Sequence, residues 1–235
     1  MKLSRNFTNG FNWFLDNMVP PFIRDSKICI KPLFWLLFGK KARFFLDFKN
    51  KAVSLSEEQL FEYYKFLADV HLKRDTDLNK ESINYILENI TGDTVLDIAS
   101  GRGYLAKRIA EKYHAKVTGI DFLVNDDLKT SVNPVFLEGS IEKIPFPDKH
   151  FDTVICAHTL EHVINIQHAI AELRRVCNSR LIVVLPRQRE YLYTFDLHVH
   201  FFPYEHAVLN VFKNPDGHCF SIHNDWVYVE DFQLL

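Results

Sequence analysis

The sequence predicts an α/β fold in which a mostly parallel, seven-stranded sheet is covered by helices on both faces. From residue 94 onward, short β-branched apolar runs alternate with helical patterns, which is typical of parallel strands joined by crossover helices. Five of the eight glycines fall between residues 92 and 139, so tight turns are concentrated there. Two β-rich runs flank Asn224-Asp225 and predict a closing antiparallel hairpin.

The composition fits a folded chain and excludes several classes of protein. The 235 residues are 47% hydrophobic and 25% charged, which allows one large domain and excludes disordered or collagen-like chains. A formal net charge of −2 provides no chain-wide positive excess for binding nucleic acid. Four scattered cysteines without a CxxC pair indicate neither a disulfide framework nor a thiolate zinc site. With no signal peptide and no apolar run of about 18 residues, we expect a cytoplasmic protein that does not span a membrane.

A basic and apolar segment lies near the N-terminus. Between Arg24 and Lys51, eight bases stand against two acids, a net charge of +6. Aromatic and aliphatic residues are interleaved with these bases, mainly in the runs 33–38 and 44–48. This composition suits peripheral contact of residues 24–51 with an anionic partner or the inner membrane face. It also suits a helical layer packed onto the main domain, which is the favoured interpretation because a docking helix needs an apolar face as well.

Two helices are predicted before the glycine-rich segment. One should begin at Ser56, where a capping box is followed by apolar residues at helical spacing. Another should run from Lys80 to Ile90, because its apolar stripe ends at the stop signal Thr91-Gly92. We therefore expect residues 1–90 to form a helical N-terminal layer or lid, and residues 91–235 to form a cofactor-binding domain.

A glycine-containing loop joins the first predicted strand to the following helix. In VLDIASGRGYLA, Gly101 and Gly103 stand where a backbone without Cβ atoms can approach a ligand and a helix N-terminus offers free N–H groups. Asp121 ends the next strand, VTGID, where a carboxylate can accept hydrogen bonds from both hydroxyls of a ribose. The pattern predicts a site for a polar or anionic cofactor. A tight turn with a solvent-facing Asp121 is the alternative.

Further motifs follow this loop in a fixed order. They are GSIEKIPF from Gly139, FDTV from Phe151, and the stretch HTLEHVINIQHAIAELRRV from His158. With these motifs, the chain resembles the class I S-adenosylmethionine-dependent methyltransferases, specifically the type-11 group that includes ubiquinone-biosynthesis-like enzymes. The resemblance covers about residues 92 to 186. It implies a Rossmann-like fold, methyltransferase activity and S-adenosyl-L-methionine as the cofactor.

The resemblance also implies which residues hold the cofactor. Asp97 and the backbone of residues 99–103 should hold the methionine portion. Asp121 should hold the ribose, and the turn Ser140-Ile141 the adenine. The candidate cofactor-binding residues are Asp97, Ala99, Ser100, Gly101, Gly103, Asp121, Phe122, Ser140, Ile141 and His158.

Three positions depart from the family pattern. Ala99 replaces the first glycine of the loop, which is tolerable only if this residue needs no positive φ. Ser140 stands where an adenine-contacting Asp is usual, so a hydroxyl contact replaces a carboxylate contact. Residues 177–180 lack a Gly-Gly turn, which shortens the approach to the fifth strand.

Other functions also fit parts of the sequence. Residues 158–162 spell HxxEH, a zinc-hydrolase motif. The methyltransferase pattern around it favours a pocket-lining or packing role, so no metal site is predicted. A glycine loop with an acid about 20 residues later also describes NAD(P)-dependent oxidoreductases, although the third glycine of that fingerprint is missing. A catalytically silent binding module with the cofactor fold is a further alternative.

The general base is expected after strand LIVVLP, on the side of the sheet where ligands collect. His198 and His200 lie two residues apart, so in an extended loop they share a face. A neutral imidazole near pH 7 suits deprotonation of a hydroxyl group. His158 is the competing candidate. The first hypothesis for the reaction is O-methylation of a small anionic, glycan-like or lipid-linked acceptor.

Overall fold

The computed structural model describes residues 14, 18–52, 54–55, 59, 63, 75–193 and 197–232. The start of the helix expected from Ser56 lies outside the described residues. The chain divides into two compact units. The helical unit comprises residues 1–73 and 188–201, and the sheet unit comprises residues 74–187 and 202–235.

The described part of the helical unit contains three helices, α1 (Pro21–Arg24), α2 (Lys27–Phe38) and α3 (Ala42–Ala52), with a 3-10 turn at Gly39–Lys41. Much of the apolar residue set found between residues 24 and 51 packs into a core of this unit. Its buried members are Ile30, Phe34, Ala42, Phe45, Leu46, Phe48, Ala52 and Leu197. Leu197 belongs to the segment 188–201, which is tied to α1 by hydrogen bonds, including one from the Leu192 N–H to Oδ1 of Asp25 at 2.7 Å.

The sheet unit is built on one seven-stranded sheet. Its strands are β1 (Thr94–Ile98), β2 (Lys116–Asp121), β3 (Val135–Glu138), β4 (Phe151–Ala157), β5 (Cys177–Pro186), β6 (His218–Ile222) and β7 (Asp225–Asp231). The spatial order is β3-β2-β1-β4-β5-β7-β6. Strands β1 to β5 pair in parallel, and β7 runs antiparallel to both β5 and β6. The predicted fold class is confirmed.

Helices cover both faces of this sheet, namely α4 (Lys80–Glu88), α5 (Tyr104–Lys112), α6 (Asp126–Lys129), α7 (Ile166–Val176) and α8 (Glu205–Phe212). Neighbouring strand residues point to opposite faces, so Leu96 and Val95 of β1 enter different cores. Leu96 packs in a core with α7 and α8, whereas Val95 packs in a core with α4 and α5. Helix α4 thus packs within the sheet unit, and the domain boundary expected at residue 90 stays a prediction.

The C-terminal hairpin turns one residue earlier than its sequence indicates. Ile222 pairs with Asp225, so His223 and Asn224 form the two-residue turn. His223 takes the positive φ of 51° that this turn requires. Asp225 is consequently the first residue of β7 and is buried, at 5% exposure.

Candidate active site

The candidate site lies at the carboxyl edge of the parallel strands. Asp97 lies near the end of β1, Asp121 ends β2, and His158 follows the last residue of β4. Asp225 pairs with Pro186 at the end of β5, so it lies at the same edge although β7 is antiparallel. Three residues predicted from the sequence and one further acid therefore share the edge where ligands collect in such sheets.

The loop after β1 turns through residues with positive φ. Ala99, Gly101 and Gly103 have φ angles of 58°, 55° and 70°. The Ser100 N–H donates to the carbonyl of Ile120 at 3.0 Å, which ties the loop to β2. Ala99 thus has a positive φ. The sequence predicts that alanine is tolerable here only without a positive φ, so this residue is strained. Left-handed backbone costs about 1 to 2 kcal/mol for a residue with a Cβ atom.

The two glycines of this loop have different surroundings. A Cβ atom on Gly103 would lie 2.4 Å from Cζ of Phe136, because this β3 side chain fills the space behind the turn. A Cβ atom on Gly101 would meet nothing within 4 Å. The loop is therefore closed at Gly103 and open at Gly101, where a ligand can approach the backbone.

Asp121 is held by backbone N–H groups. Its Oδ2 accepts from the Gly101 N–H at 2.7 Å, and its Oδ1 accepts from the Leu123 N–H at 3.2 Å. Burial raises the pKa of Asp121, and the N–H groups oppose that rise. The alternative of a solvent-facing acid at a plain turn does not describe this carboxyl group, since it organises the loop around it.

The segment expected to contact the adenine follows β3 and lies beside the end of β2. The Gly139 N–H donates to the carbonyl of Asp121 at 2.9 Å. Oγ of Ser140 accepts the backbone N–H two residues further on, at 3.2 Å, so this hydroxyl shapes its own turn. Ile141 is buried, whereas Phe122 is 39% exposed and presents an aromatic ring next to Asp121.

Two buried polar atoms of β1 and its loop have no hydrogen-bond partner among the described residues. They are Oδ2 of Asp97 and Oγ of Ser100. Burial raises the pKa of Asp97, which is 3% exposed, to about 7. An unpaired buried polar atom costs about 1 to 3 kcal/mol, so such atoms are expected where a ligand completes them. A ligand group with a positive charge, such as the ammonium group of S-adenosylmethionine, fits this pair of atoms.

His158 lies between two buried acids. It adopts a φ of 48° at the end of β4, which directs the chain into the 3-10 turn Leu160–His162. Its Nε2 lies 3.3 Å from Oδ1 of Asp225, and its Nδ1 lies 3.7 Å from Oε1 of Glu161. Burial by itself lowers the pKa of His158, but the two acids outweigh it and raise the pKa to about 9.

Asp225 is a site residue that the sequence analysis missed. Its Oδ2 accepts hydrogen bonds from Nδ2 of Asn79 at 2.7 Å and from Oγ of Ser82 at 3.0 Å, both at the start of α4. These two donors fix the carboxylate with its other oxygen toward His158. The available signal was an acid at the start of an otherwise apolar strand, but the sequence assigned Asp225 to the turn.

The HxxEH stretch folds as a strand end and a 3-10 turn, not as one helix. Glu161 is fully buried, and neither of its carboxylate oxygens has a hydrogen-bond partner among the described residues. Burial raises the pKa of Glu161 to about 7, against the opposing charge of His158. His162 lies 3.9 Å from Oε1 of Glu161 through its Nε2. The motif therefore gathers two imidazoles around one buried carboxyl group.

His198 and His200 belong to the helical unit. Nδ1 of His198 is hydrogen-bonded to Oε1 of Gln188 at 2.6 Å, and Nε2 of Gln188 donates to the hydroxyl of Tyr191 at 2.6 Å. His198 is buried and His200 is half-buried. One ring nitrogen of His198 thus serves a side-chain network of its own unit, and the role of both histidines as a base stays a prediction.

Comparison with known proteins agrees with the fold and with this loop. Residues 96–185 match a family model for a methyltransferase domain, the type-11 model. The ubiquinone/menaquinone biosynthesis C-methyltransferase UbiE of Cupriavidus necator is 41% identical over 97 residues, which cover 36% of this chain and 39% of that protein. UbiE of Pseudomonas syringae pv. tomato is 35% identical over 109 residues, 40% of this chain and 42% of that protein. The chain spans about two fifths of the length of these curated relatives.

Two solved structures share the fold. The PH0226 protein from Pyrococcus horikoshii OT3 has a TM-score of 0.54 and 20% identity, over 73% of this chain and 99% of that chain. The [4+2]-cyclase SpnF has a TM-score of 0.51 and 19% identity, over 60% of this chain and 58% of that chain. SpnF is named as a cyclase, so the fold alone does not define the reaction.

The sheet order, the loop after β1 and the matched segment are those expected of a class I methyltransferase domain. The match of residues 96–185 to the type-11 methyltransferase model confirms the resemblance that the motifs indicated. S-adenosyl-L-methionine is the cofactor that this group implies, and the buried polar atoms of Asp97 and Ser100 fit it.

Proposed function

We propose that this chain transfers the methyl group of S-adenosylmethionine to a small acceptor, with O-methylation of an anionic, glycan-like or lipid-linked molecule as the first choice. The observation that carries the proposal is the pair Asp97 Oδ2 and Ser100 Oγ, which have no hydrogen-bond partner among the described residues and lie within the matched segment, on the strand and loop predicted to hold the cofactor. Bound S-adenosylmethionine supplies a methyl group that its sulfonium already activates. The chain's own residues bind, orient and exclude water.

Asp97 binds the charged amino-acid end of the cofactor in this proposal, and Asp121 accepts hydrogen bonds from the ribose. Both carboxyl groups are buried enough to raise their pKa, so a positive charge or a donor close by stabilises their ionised form. Phe122 adds an exposed aromatic ring for the adenine. Ser140 and Ile141 form the turn after β3, which is the second part of the proposed adenine site.

His158 holds negative charge on the acceptor rather than removing its proton. With a pKa of about 9 it carries a proton at pH 7. Its Nε2 faces Asp225, so Nδ1, which lies 3.7 Å from Glu161 and beyond hydrogen-bond distance of it, is the nitrogen that can donate a charge-assisted hydrogen bond to an oxyanion. This arrangement supports an acceptor that is anionic, or becomes so, when it reacts. His198 and His200 stay the candidates for the group that takes the acceptor's proton.

C-methylation is the second candidate reaction. The matched relatives from Cupriavidus and Pseudomonas are named as C-methyltransferases of ubiquinone and menaquinone biosynthesis. Their similarity covers only 36% and 40% of this chain. It therefore supports the donor half of the reaction more strongly than the choice of acceptor atom.

The test is incubation of the protein with carbon-13 methyl-labelled S-adenosylmethionine and fractionated cell extract. The chemical shift of the labelled carbon in the product separates methylation on oxygen, nitrogen and carbon. The Asp97→Ala variant serves as the control that lacks the charged cofactor contact. Stabilisation by NADH but not by S-adenosylmethionine in a thermal-shift assay would favour the oxidoreductase. Cofactor binding without label transfer into any fraction would favour the silent module.

A further inference from the structure

Helix α2 is apolar on two opposite sides. Ile30 and Phe34, one turn apart, are buried in the core of the helical unit at 5% and 1% exposure. Ile28 is 86% exposed, although it is a large apolar residue. Trp35 and Leu36 follow it by about two helical turns, so they lie on the same side of the helix. They are 40% and 83% exposed.

The apolar side chains on this side of α2 stay exposed in the folded helical unit. Scattered single apolar residues are normal on protein surfaces, but apolar residues grouped on one face mark a contact with a protein or a membrane. Helix α1, which ends three residues before α2 begins, also exposes a large apolar residue, Phe22, at 76%. The residues that α2 contributes to the core, Ile30 and Phe34, are on its other side, so the core formed by the described residues of this unit does not use this surface.

The charged residues within helix α2 are all basic. Helix α2 contains Lys27 and Lys31, both exposed, and no acidic residue. Exposed Lys40 and Arg43 follow in the chain. Asp25, just before α2, accepts the Leu192 N–H. The segment from residue 24 to residue 51 carries the net +6, which complements an anionic surface.

We propose that the outer face of α2, formed by Ile28, Trp35 and Leu36, docks on the surface of an anionic lipid bilayer, to which the exposed Lys27 and Lys31 of the same helix are attracted. Apolar side chains of an in-plane helix enter the boundary between headgroups and acyl chains, while lysines meet the lipid phosphates. A helix of this length spans about 18 Å, short of the about 30 Å of a hydrocarbon core. No helix in the described ranges combines the length and apolar character that a bilayer crossing needs.

The docking surface goes beyond the proposed methyl transfer and does not depend on it. It also bears on the two interpretations of residues 24–51 that the sequence left open, namely a packed helical layer and contact with a membrane surface. Phe34, Phe45 and Phe48 form the core of the helical unit, whereas Ile28 and Leu36 point away from it. The segment can pack in the core and bind lipid at the same time, because one set of residues forms the core and another set faces the lipid.

The test is co-sedimentation of the whole chain, without cofactor, with vesicles of phosphatidylcholine alone or with about one third phosphatidylglycerol. We expect binding to the anionic vesicles that weakens as salt rises. The double variant Ile28→Asp/Leu36→Asp should bind at least about tenfold more weakly, because two exposed apolar side chains that would enter the bilayer are lost. The variant Lys27→Ala/Lys31→Ala should lose about 25-fold, at about fivefold per base.

The matched control is Val132→Asp, which places the same acid on an 88% exposed apolar residue of the sheet unit. It should bind vesicles as the unchanged chain does. A second readout uses an environment-sensitive fluorophore on exposed Cys29, with half-buried Cys219 replaced by serine. Its emission should shift to shorter wavelength when anionic vesicles are added.

Four results would overturn the proposal. They are an absence of sedimentation with anionic vesicles, equal sedimentation of the Ile28→Asp/Leu36→Asp variant, an equal loss in Val132→Asp, and binding that ignores lipid charge. A concentration-dependent dimer that Ile28→Asp/Leu36→Asp abolishes, without vesicle binding, would assign the face to a second copy of the chain. Because no cofactor or acceptor enters the assay, failure of the methyl-transfer proposal leaves these outcomes unchanged.

Discussion

Oδ1 of Asp225 lies 3.3 Å from Nε2 of His158, and the carboxylate that brings it there is anchored through its other oxygen by Asn79 and Ser82. Two strands far apart in the chain, β4 and β7, thus contribute the two groups, and helix α4 fixes the acid. A buried acid with this geometry sets the orientation of an imidazole and favours its protonated form.

The variant Asp225→Asn should lower the pKa of His158, because it removes the nearest negative charge while keeping an oxygen for the two donors. Glu161 and Asp77, which also raise this pKa, remain. The folded-state pKa of about 9 lies above the ordinary value of 6.5, so His158 stabilises the fold below pH 6.5 and loses this effect as the pH rises to 9. Titration of labelled histidine by NMR measures the shift directly.

The control for this variant is Asp216→Asn, which removes a charge at an exposed position of the same unit. It should leave the titration of His158 unchanged. An unaltered His158 titration in Asp225→Asn would show that the acid does not govern the imidazole. If methyl transfer is measured as well, the pH profile of the variant should shift in the same direction as the NMR titration.

The variant Ala99→Gly should stabilise the protein by about 1 kcal/mol, because glycine adopts the φ of 58° without the clash of a Cβ atom. Ala99 is exposed, so its methyl group contributes little packing. Ala110→Gly, within the last turn of α5, is the matched control and should destabilise by up to about 1 kcal/mol. Urea denaturation measures both. Destabilisation by Ala99→Gly would mean that the left-handed backbone is not strained.

Asp121→Ala should weaken binding of S-adenosylmethionine by about 1.5 to 3 kcal/mol, the typical loss of hydrogen bonds to a charged group. The same change frees the N–H groups of Gly101 and Leu123, so the loop itself should become less protected in hydrogen exchange. Isothermal calorimetry provides the affinity. An unchanged affinity in the folded variant contradicts the assignment of Asp121 to the ribose.

The strands, the hairpin and the glycine loop were predictable because each depends on neighbouring residues. Short β-branched apolar runs and glycine-rich turns are local properties of the chain. The pairing of Asp225 with His158 was not predictable, since it needs β7 to lie beside β5, a contact between residues far apart in the chain. A one-residue shift of the hairpin turn was enough to hide it.

The division of the chain into two units also depends on contacts between residues far apart in the chain, which local sequence patterns do not predict. The segment 188–201 follows β5 in sequence but packs with the N-terminal helices, which no local pattern indicates. Helix α4 was predicted from its apolar stripe, yet its membership of the sheet unit depends on Ile83, Ile86 and Leu87 entering the core with β1. Local sequence thus predicts an element more readily than its packing partners.

Affinity for S-adenosylmethionine should rise with pH through about 7, the pKa that burial gives Asp97. Below that pH the carboxyl group is protonated and offers no charge to the cofactor's amino-acid end, and above it binding gains a charge-assisted contact. Asp97→Asn should bind more weakly and without this pH dependence.

In the absence of cofactor, the stability of the fold depends on pH with the opposite sign. Because the pKa of the Asp97 carboxyl group is raised in the folded state, the fold loses stability as pH rises from about 4 to 7. Asp97→Asn should therefore melt at a higher temperature than the unchanged chain at pH 8. Asp93→Asn, at the exposed position just before β1, is the control and should alter neither property. Calorimetry and thermal melts at pH 6 and pH 8 measure both effects, and a pH-independent affinity in the unchanged chain would remove Asp97 from the cofactor site.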